Sequence, residues 1–271
     1  MKMKTILLAI IILAMGIFVY NKNQISQFRT ERIQVQSSKV KDEIRIVQVT
    51  DFHSNHRIDI SRLQKEIREF NPHMIALTGD LVDHNTEDLT VSLDLVDSML
   101  SADVPVYFVE GNHEVANRHR RELLNELEEK GVIILSNNRV EMVIEDKTVN
   151  IYGADFYVEE NDYQKMLEDN EAERLNILLS HSPVRASWYA DGDVDLILSG
   201  HTHGGQIRLP LIGGVVSPGQ GLFPHYDKGL MELPGGSMLY IDSGIGNSVL
   251  PIRIMNPVQY TQIRVTGDGY F

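Results

Sequence analysis

Cysteine is absent from this 271-residue sequence. Its absence excludes a cysteine nucleophile, thiolate metal ligands and disulfide bonds. A chain without thiols also suits an oxidising compartment, although it does not require one. Any metal site or reactive group must therefore be built from oxygen and nitrogen atoms.

Basic residues are scarce relative to acidic ones. The chain has 25 Lys and Arg against 38 Asp and Glu, giving a formal net charge of −13. No basic surface is expected to hold a nucleic-acid backbone, so nucleic acid is not an expected partner. A hydrophobic content of 42% is enough for a full core. Carboxylates gathered around cations would account for part of the excess acidity.

Only one long hydrophobic run is present, from Thr5 to Tyr20, and it follows Lys2 and Lys4. As a helix this run would span about 24 Å, which is short of the roughly 30 Å hydrocarbon core of a bilayer. It could cross if the flanking lysines snorkel and the bilayer thins. Because no small-x-small cleavage motif follows, an uncleaved signal anchor is favoured over a cleaved signal peptide.

The charges around this run bear on orientation. Lys2, Lys4 and the terminal amine favour a cytoplasmic N-terminus, with the rest of the chain outside, although Lys22, Arg29 and Arg32 weaken the bias. We expect a single-pass cell-membrane protein with an extracytoplasmic domain, secretion after signal cleavage being the alternative.

The chain is expected to divide into three parts. Residues 1–22 form a membrane anchor or signal segment, residues 23–42 a polar linker with a candidate first strand at Arg32–Gln36, and residues 43–271 the catalytic domain.

From Ile44 onward, short apolar runs alternate with helical patterns, which indicates an α/β fold. The apolar runs are Ile44–Val49, Met74–Leu77, Val104–Val109, Leu175–Leu179 and Val194–Leu198. The predicted helices are Ile60–Phe70, Glu87–Leu100, Arg118–Lys130 and Tyr163–Asp169. Residues 132–156 are predicted to form a meander of strands, and further strands are predicted at Ser237–Ile241 and Tyr260–Thr266.

Polar side chains follow each of the five apolar runs. In chain order they are Asp51 and His53, then Asp80, Asn112 and His113, His181, and finally His201 and His203. Ligands of open α/β sheets gather outside the carboxyl ends of the strands, so these side chains are expected to converge. A set of oxygen and imidazole ligands suits Mn²⁺, Fe, Zn²⁺ or Co²⁺.

The order of these motifs, Asp-x-His, Gly-Asp, Gly-Asn-His-Glu, His and Gly-His-x-His, resembles the signature of the calcineurin-like metallophosphoesterase superfamily. The resemblance implies two mixed β-sheets packed as a sandwich with flanking helices, and a dinuclear metal centre with Mn²⁺ as the first candidate. It places Asp51, His53 and His203 on one metal. It places Asn112, His181 and His201 on the other, with Asp80 bridging both. Glu114 stands where many relatives have Asp, outside the implied metal shell.

The implied reaction is phosphoester hydrolysis by a metal-bridging hydroxide. A phosphodiester is anionic, so its hydrolysis needs charge neutralisation and a nucleophile available at neutral pH, and two metals supply both. The resemblance places His113 beside the leaving-group oxygen as proton donor or electrostatic stabiliser, with Asp83 as an orienting partner. A purely structural role for His113 is the alternative.

Three residues are weaker candidates for substrate contacts, namely His84, His225 and Arg253, each of which could equally be ordinary surface. The glycines of Gly204-Gly205-Gln206 are expected to bring the backbone close to the metals, whereas Gln206 has no assigned contact.

The N-terminal run, Gly204-Gly205-Gln206 and the tail Asp242–Gly246 with Pro251-Ile252-Arg253 resemble a bacterial branch of membrane-associated or exported phosphodiesterases. This branch includes UDP-2,3-diacylglucosamine pyrophosphatase-like members, and a lipid-linked or cell-envelope phosphoester is the implied substrate. The alternatives are an exported nucleotide or monoester phosphatase, and a non-catalytic metal-binding envelope protein.

Overall fold

The computed structural model describes residues 2–168, 170–189, 194–247 and 250–267. The α-helices are α1 (Lys2–Ser26), α2 (Ile60–Phe70), α3 (Thr90–Leu100), α4 (Asn112–Ala116), α5 (Arg120–Glu129), α6 (Glu160–Leu167) and α7 (Ala186–Tyr189). The strands of the first half are β1 (Arg29–Gln36), β2 (Ile44–Val49), β3 (Met74–Leu77), β4 (Val106–Phe108), β5 (Ile133–Ile134), β6 (Asn138–Ile144) and β7 (Lys147–Ala154). The later strands are β8 (Leu175–Ser180), β9 (Leu196–Ser199), β10 (Arg208–Leu209), β11 (Gly213–Gly214), β12 (Val216–Ser217), β13 (Gly221–Leu222), β14 (Gly229–Glu232), β15 (Met238–Ile241) and β16 (Gln259–Thr266).

Two large mixed sheets dominate the architecture. The first has the strand order β1-β16-β2-β3-β4-β5, in which β2 to β5 run parallel and β16 runs antiparallel to β2. The second has the order β14-β15-β9-β8-β7-β6, parallel from β15 to β7 with an antiparallel strand at each edge. Two small hairpins, β10–β11 and β12–β13, lie outside both sheets.

The sheets pack face to face because their strands are apolar on both faces. In β2, Ile46 faces the layer shared with Ile177 and Leu198 of the second sheet. The next residue, Val47, joins the layer under α2, α3 and α5. Helices α6 and α7 cover the outer face of the second sheet. Strands buried on both faces are expected where helices flank the sheets, and the predicted αββα sandwich is confirmed.

Element boundaries follow the sequence patterns closely, with one topological exception. The bounds of α2, β2 and β3 match the predicted ones, whereas α6 begins earlier than predicted and the predicted end at Asp169 lies outside the described residues. The predicted meander is split: β5 pairs with β4 in the first sheet, whereas β6 and β7 belong to the second. The chain crosses between the sheets near Asn137, which has a φ of 49°.

The N-terminal segment is an exposed helix that continues into the sandwich. From Met3 to Ser26 it is long and apolar enough to cross a membrane, as judged by length and composition, and it therefore extends past the run that ended at Tyr20. Strand β1 then pairs in parallel with β16 along its whole length. The candidate strand predicted at Arg32–Gln36 thus lies within β1, which forms an edge of the first sheet.

Candidate metal centre

The polar side chains predicted from the strand ends do meet at one place. They follow β2, β3, β4, β8 and β9, and the two sheets direct these strand ends toward each other. The residues brought together are Asp51, His53, Asp80, His113, His181, His201 and His203. Asn112 adjoins them, because its neighbours Gly111 and His113 both contact Asp80.

The loops that carry these residues have an unusual backbone. Five of the residues are non-glycine residues with a left-handed φ, namely Asp51 (53°), His53 (49°), Asp80 (53°), His201 (68°) and His203 (48°). Such conformations cost on the order of 1–3 kcal/mol each and persist only where the surroundings enforce them. The concentration of this strain at one location indicates a functional site.

Neighbouring loops hold that backbone in place. The amide of His53 donates to the carbonyl of Asp80 at 3.0 Å, and the amide of His201 donates to the Asp51 carboxylate at 3.0 Å. Two glycines permit the close approach, because a side chain on Gly111 would overlap the Asp80 carboxylate and one on Gly200 would overlap that of Asp51.

One group of buried side chains is formed by Asp51, His53 and His203. The Nε2 atoms of the two histidines lie 3.2 Å apart, and Oδ1 of Asp51 lies 3.5 Å from Nε2 of His203. Burial lowers the pKa of His53 to about 4 and that of His203 well below its usual value. Neutral imidazoles with available lone pairs are the form in which histidine binds cations.

A second group is formed by Asp80, His181 and His201. Nε2 of His181 lies 3.1 Å from Oδ2 of Asp80 and 3.2 Å from Nδ1 of His201. On its other side, Nδ1 of His181 lies 2.7 Å from the carbonyl of Thr78 and donates to it, an arrangement typical of metal-binding histidines. Burial lowers the pKa of His181, but the charge and hydrogen bond of Asp80 outweigh it and raise the pKa to about 10. A bound cation would therefore replace a proton between these two side chains.

Asp80 lies between the two groups. Its Oδ2 is 3.1 Å from His181 and 3.7 Å from Nε2 of His53, so one carboxylate reaches both sets of ligands. Asn112 adds an independent observation, since its buried Oδ1 has no hydrogen-bond partner in the part of the chain that the structure describes. An orphaned buried carbonyl oxygen costs about 1–3 kcal/mol and is satisfied by a cation. The donor set of carboxylate, amide and imidazole atoms fits divalent transition metals.

His113 lies beside these groups. Its Nε2 is 3.9 Å from Oδ2 of Asp80, and its Nδ1 is 3.2 Å from Oδ1 of Asp83 and 3.0 Å from the backbone nitrogen of His84. Burial lowers the pKa of His113, but the hydrogen bond to Asp83 and the charges of Asp80, Asp83 and Glu114 outweigh it and raise the pKa above the usual value. The ring is therefore partly buried, oriented and disposed to carry a proton.

Glu114, treated from sequence as peripheral, proves to be a central support. Its carboxylate is fully buried and accepts hydrogen bonds from the amides of Asp80 and Gly111 at 2.8 Å and of Val82 at 3.0 Å. One side chain thus ties the β3 loop to the β4 loop. The Gly-Asn-His-Glu motif contained this signal, because an acidic residue in the first turn of a helix can accept exposed amides.

Arg253, a candidate substrate contact from the sequence, lies beside the first ligand group and lines the cavity next to His203. Its guanidinium is buried and donates to the carbonyls of Ser243 at 2.7 Å and Gly246 at 2.8 Å, while Nη2 lies 3.2 Å from Nδ1 of His203. This contact lies on the Nδ1 side of the His203 ring, while Nε2 lies on the side of His53.

The remaining candidates divide between cleft and surface. His84 is half exposed and its ring centroid is 5.4 Å from that of His113, so it lies at the edge of the site. His225 is exposed and contacts Tyr226, and no contact joins it to the metal groups among the described residues. Gln206, previously unassigned, donates to the carbonyl of Leu250 at 2.6 Å.

The two glycines before Gln206 make their close contacts with other loops. Gly204 packs against Ser243 and Asn256, and Gly205 packs against the backbone of Gly214. They therefore allow the loop after His203 to pack closely against the loops that contain Ser243, Asn256 and Gly214.

Apolar cavities open on both sides of the metal groups. A cavity of about 440 Å³ beside His201 is lined by Phe156, Tyr157, Val184 and Trp188 among others. A smaller one of about 180 Å³ beside His203 is lined by Pro218 and Leu250 among others. Both could receive apolar parts of a molecule whose polar group lies at the histidines.

Comparisons with known proteins agree with this geometry. A family model described as calcineurin-like phosphoesterase matches residues 44–205, more than half of the chain. The uncharacterized protein YpbG of Bacillus subtilis is 28% identical over 89% of this chain and 88% of its own length. The uncharacterized metallophosphoesterase Cj0846 of Campylobacter jejuni is 29% identical over 93% of this chain and 67% of its own. A zebrafish (Danio rerio) protein named transmembrane protein with metallophosphoesterase domain is 25% identical over 81% of this chain and 52% of its own.

Proposed function

Because the chain belongs to the calcineurin-like phosphoesterase family, we propose that it hydrolyses a phosphodiester or a pyrophosphate using two divalent metal ions. The observation that carries the proposal is the pair of buried ligand groups joined by Asp80. Members of this family depend on a dinuclear metal centre.

Each group, with Asn112 added to the second, would hold one metal. Asp51, His53 and His203 would bind the first, and Asn112, His181 and His201 the second, with Asp80 shared between them. Mn²⁺ is the first candidate, and Fe, Zn²⁺ and Co²⁺ suit the same atoms. When bound, the two ions would neutralise phosphate charge and acidify a water molecule.

The chain's own residues would orient the reaction. His113, held by Asp83 and with a raised pKa that favours its protonated form, would donate a proton from Nε2 to the leaving-group oxygen. Glu114 would keep the β3 and β4 loops, and hence Asp80 and Asn112, in register. The buried position of the ligands would exclude bulk water and strengthen each charge interaction.

The substrate we favour is a lipid-linked or cell-envelope phosphoester, with the catalytic domain outside the cytoplasm. An exposed apolar helix precedes the domain, and apolar cavities adjoin the ligand groups. The zebrafish relative is itself named a transmembrane protein. His84, at the edge of the site, is the nearest of the candidate substrate-contacting residues.

Turnover with added Mn²⁺ tests the proposal. We expect the purified full chain to hydrolyse bis(p-nitrophenyl) phosphate faster than p-nitrophenyl phosphate, and Asp80→Ala to abolish this activity. The reverse preference would favour the monoester phosphatase alternative. Equal hydrolysis by wild type and Asp80→Ala would leave a non-catalytic metal-binding role. A panel of lipid and nucleotide phosphoesters would then define the substrate class.

A further inference from the structure

The exposed large apolar side chains of the folded domain are concentrated in one region. They lie on the two small hairpins and on the loop from 250 to 255, and include Leu211, Ile212, Leu222, Phe223, Leu250 and Met255, here called the apolar rim. Leu211 is fully exposed and Phe223 is 62% exposed. Elsewhere in the described part of the domain, large exposed apolar side chains are scattered, as at Val143 and Tyr157. A contiguous apolar surface of this kind marks an interaction site.

The segments that form the apolar rim present almost no charge. Residues 207–224 and 250–258 contain two charged residues, Arg208 and Arg253, in a chain that is 23% charged overall. Both are turned inward: Arg208 pairs with Asp227 at 2.9 Å, and Arg253 is buried. A surface made for water or for a charged partner would carry exposed charges, whereas the interior of a bilayer excludes them.

The apolar rim segments form one connected surface. Ile207 pairs with Ile254, the amide of Arg208 donates to the carbonyl of Ile254 at 2.9 Å, and the side chain of Gln206 binds the carbonyl of Leu250. Val215 takes part in both hairpins, because its amide donates to the carbonyl of Ile207 at 2.8 Å and its carbonyl accepts from the amide of Phe223 at 2.9 Å.

The apolar helix α1 ends on this same surface. Asn21 donates to the carbonyl of Pro251 at 2.8 Å and accepts from the amide of Arg253 at 2.9 Å. The hydroxyl of Tyr20 accepts from the amide of Met255 at 2.9 Å, and Gln24 accepts from that of Asn256 at 3.1 Å. These bonds make the junction a fixed one, so a bilayer crossed by α1 would lie against the apolar rim.

We propose that the apolar rim rests in the surface of the lipid bilayer that α1 crosses, and that it turns the metal centre toward the lipid headgroups. The inference rests on the proposed membrane anchoring of α1. Leu250 of the apolar rim and His203 of the first ligand group line the same cavity. A phosphoester at headgroup depth would thus reach the site without leaving the membrane.

Because the chain has no cysteine, a single introduced cysteine allows a thiol-reactive probe to be attached at one chosen position. The full-length variants tested are Leu211→Cys, Phe223→Cys and Leu250→Cys. Each is labelled with an environment-sensitive fluorophore and reconstituted into nanodiscs of phosphatidylethanolamine and phosphatidylglycerol. Val143→Cys, 68% exposed on edge strand β6, is the matched control. We expect nitroxide-labelled lipids to quench the three apolar rim positions and not position 143, with aqueous iodide showing the opposite pattern.

Two results would overturn the inference. Equal iodide quenching at all four positions would place the apolar rim in water. Shielding from iodide without lipid quenching would mean that protein, such as a second copy of the chain, covers it. Hydrolysis of bis(p-nitrophenyl) phosphate by the same samples separates the two proposals, because activity without lipid quenching contradicts only the surface assignment. Lipid quenching without activity contradicts only the proposed function.

Discussion

The carboxylate of Asp80 interacts electrostatically with more than one histidine of the site. Its carboxylate is nearly inaccessible to water and within 3.9 Å of the rings of His53, His113 and His181. Burial alone would raise the pKa of Asp80, but the surrounding histidines hold it below its usual range. The residue is therefore ionised at any working pH, as a shared metal ligand must be.

Asp80→Asn is expected to lower kcat by roughly 100-fold or more, because metal-assisted charge stabilisation is worth several kcal/mol. Bound Mn²⁺, measured by mass spectrometry after desalting, should fall with it. Asp94→Asn, on the exposed face of α3, is the matched control. Full metal content and full activity in Asp80→Asn would contradict the bridging role.

Glu114→Gln is expected to lower the free energy of unfolding by about 1–3 kcal/mol, since the amide NH₂ cannot accept and a buried backbone amide loses its partner. Chemical denaturation of the metal-free protein measures the effect apart from metal binding. Glu128→Gln on α5 changes an exposed carboxylate and should have no effect. An unchanged denaturation midpoint in Glu114→Gln would mean that the loops are held by other contacts.

The pH dependence of turnover should report the pair of His113 and Asp83. A histidine with a raised pKa keeps its proton below that pKa and loses it as the pH rises, so proton donation is lost on the alkaline side. Asp83→Asn removes a raising interaction and should move the alkaline limb of kcat to lower pH, measured with an alkyl phosphodiester whose leaving group needs a proton. Glu87→Gln, an exposed neighbour, should leave the profile unchanged. An identical profile in Asp83→Asn would exclude His113 as the titrating donor.

Among the secondary-structure elements, α1 is connected to the candidate metal-binding residues through its C-terminal turns. Its last turns bind the loop that contains Arg253 and Asn256, and both of these residues contact His203: Arg253 through Nδ1, and Asn256 through the carbonyl at 2.6 Å. The helix is thus connected to the first ligand group by a continuous chain of hydrogen bonds.

The double variant Asn21→Ala with Gln24→Ala should weaken Mn²⁺ binding by roughly 10-fold, the lower end of the effect of changes to groups that orient metal ligands. Calorimetric titration of the full chain in detergent measures this affinity. Asn23→Ala, one position away and exposed, controls for the loss of polar groups from the helix. Equal affinities would show that the loop holds His203 without the helix.

Sequence patterns predicted elements better than the connections between them. The bounds of β2, β3 and α2 follow from dense apolar periodicity, and the site residues from the polar positions at strand ends. The division of the meander between two sheets was not predictable, because β5 has only two residues and its pairing with Tyr107 and Phe108 depends on tertiary contacts. The burial of Arg253 was not predictable either, since burial by distant loops leaves no local signal.

For the molecule as a whole, the site gathers several buried carboxylates, namely Asp51, Asp80 and Glu114. Burial raises the pKa of Asp51 to about 6 and that of Glu114 to about 7, with the charge of Asp80 adding to both effects. The charged forms of these two groups are therefore disfavoured, and the stability that each contributes is lost as the pH rises through its folded pKa. The lowered pKa values of His53, His201 and His203 act in the opposite sense, because these rings must stay neutral in the fold.

Mn²⁺ should accordingly raise the thermal unfolding midpoint, by an amount equivalent to about 2.7 kcal/mol at a hundred times Kd. The increase should be larger at pH 8 than at pH 5.5, and EDTA should reverse it. Scanning fluorimetry or calorimetry measures it, with Mg²⁺ as a comparison ion and Asp80→Asn as the variant that should not respond. A midpoint insensitive to metal at both pH values would argue against a buried metal centre.

The pairing of β1 with β16 also determines at which point of synthesis the first sheet can finish folding. Strand β16 lies between β1 and β2, and the hydrogen-bonded side chains of Gln34 and Thr266 are 232 positions apart. Strand β1 is synthesised second among the described elements, whereas β16 is synthesised last. The position between β1 and β2 therefore stays empty until β16 has emerged from the ribosome. The loop that orients His203 immediately precedes β16, so the first sheet and that half of the site are finished together. A chain interrupted during translation would therefore carry an open sheet edge and an incomplete metal centre, which makes it recognisable to proteolysis before it can act.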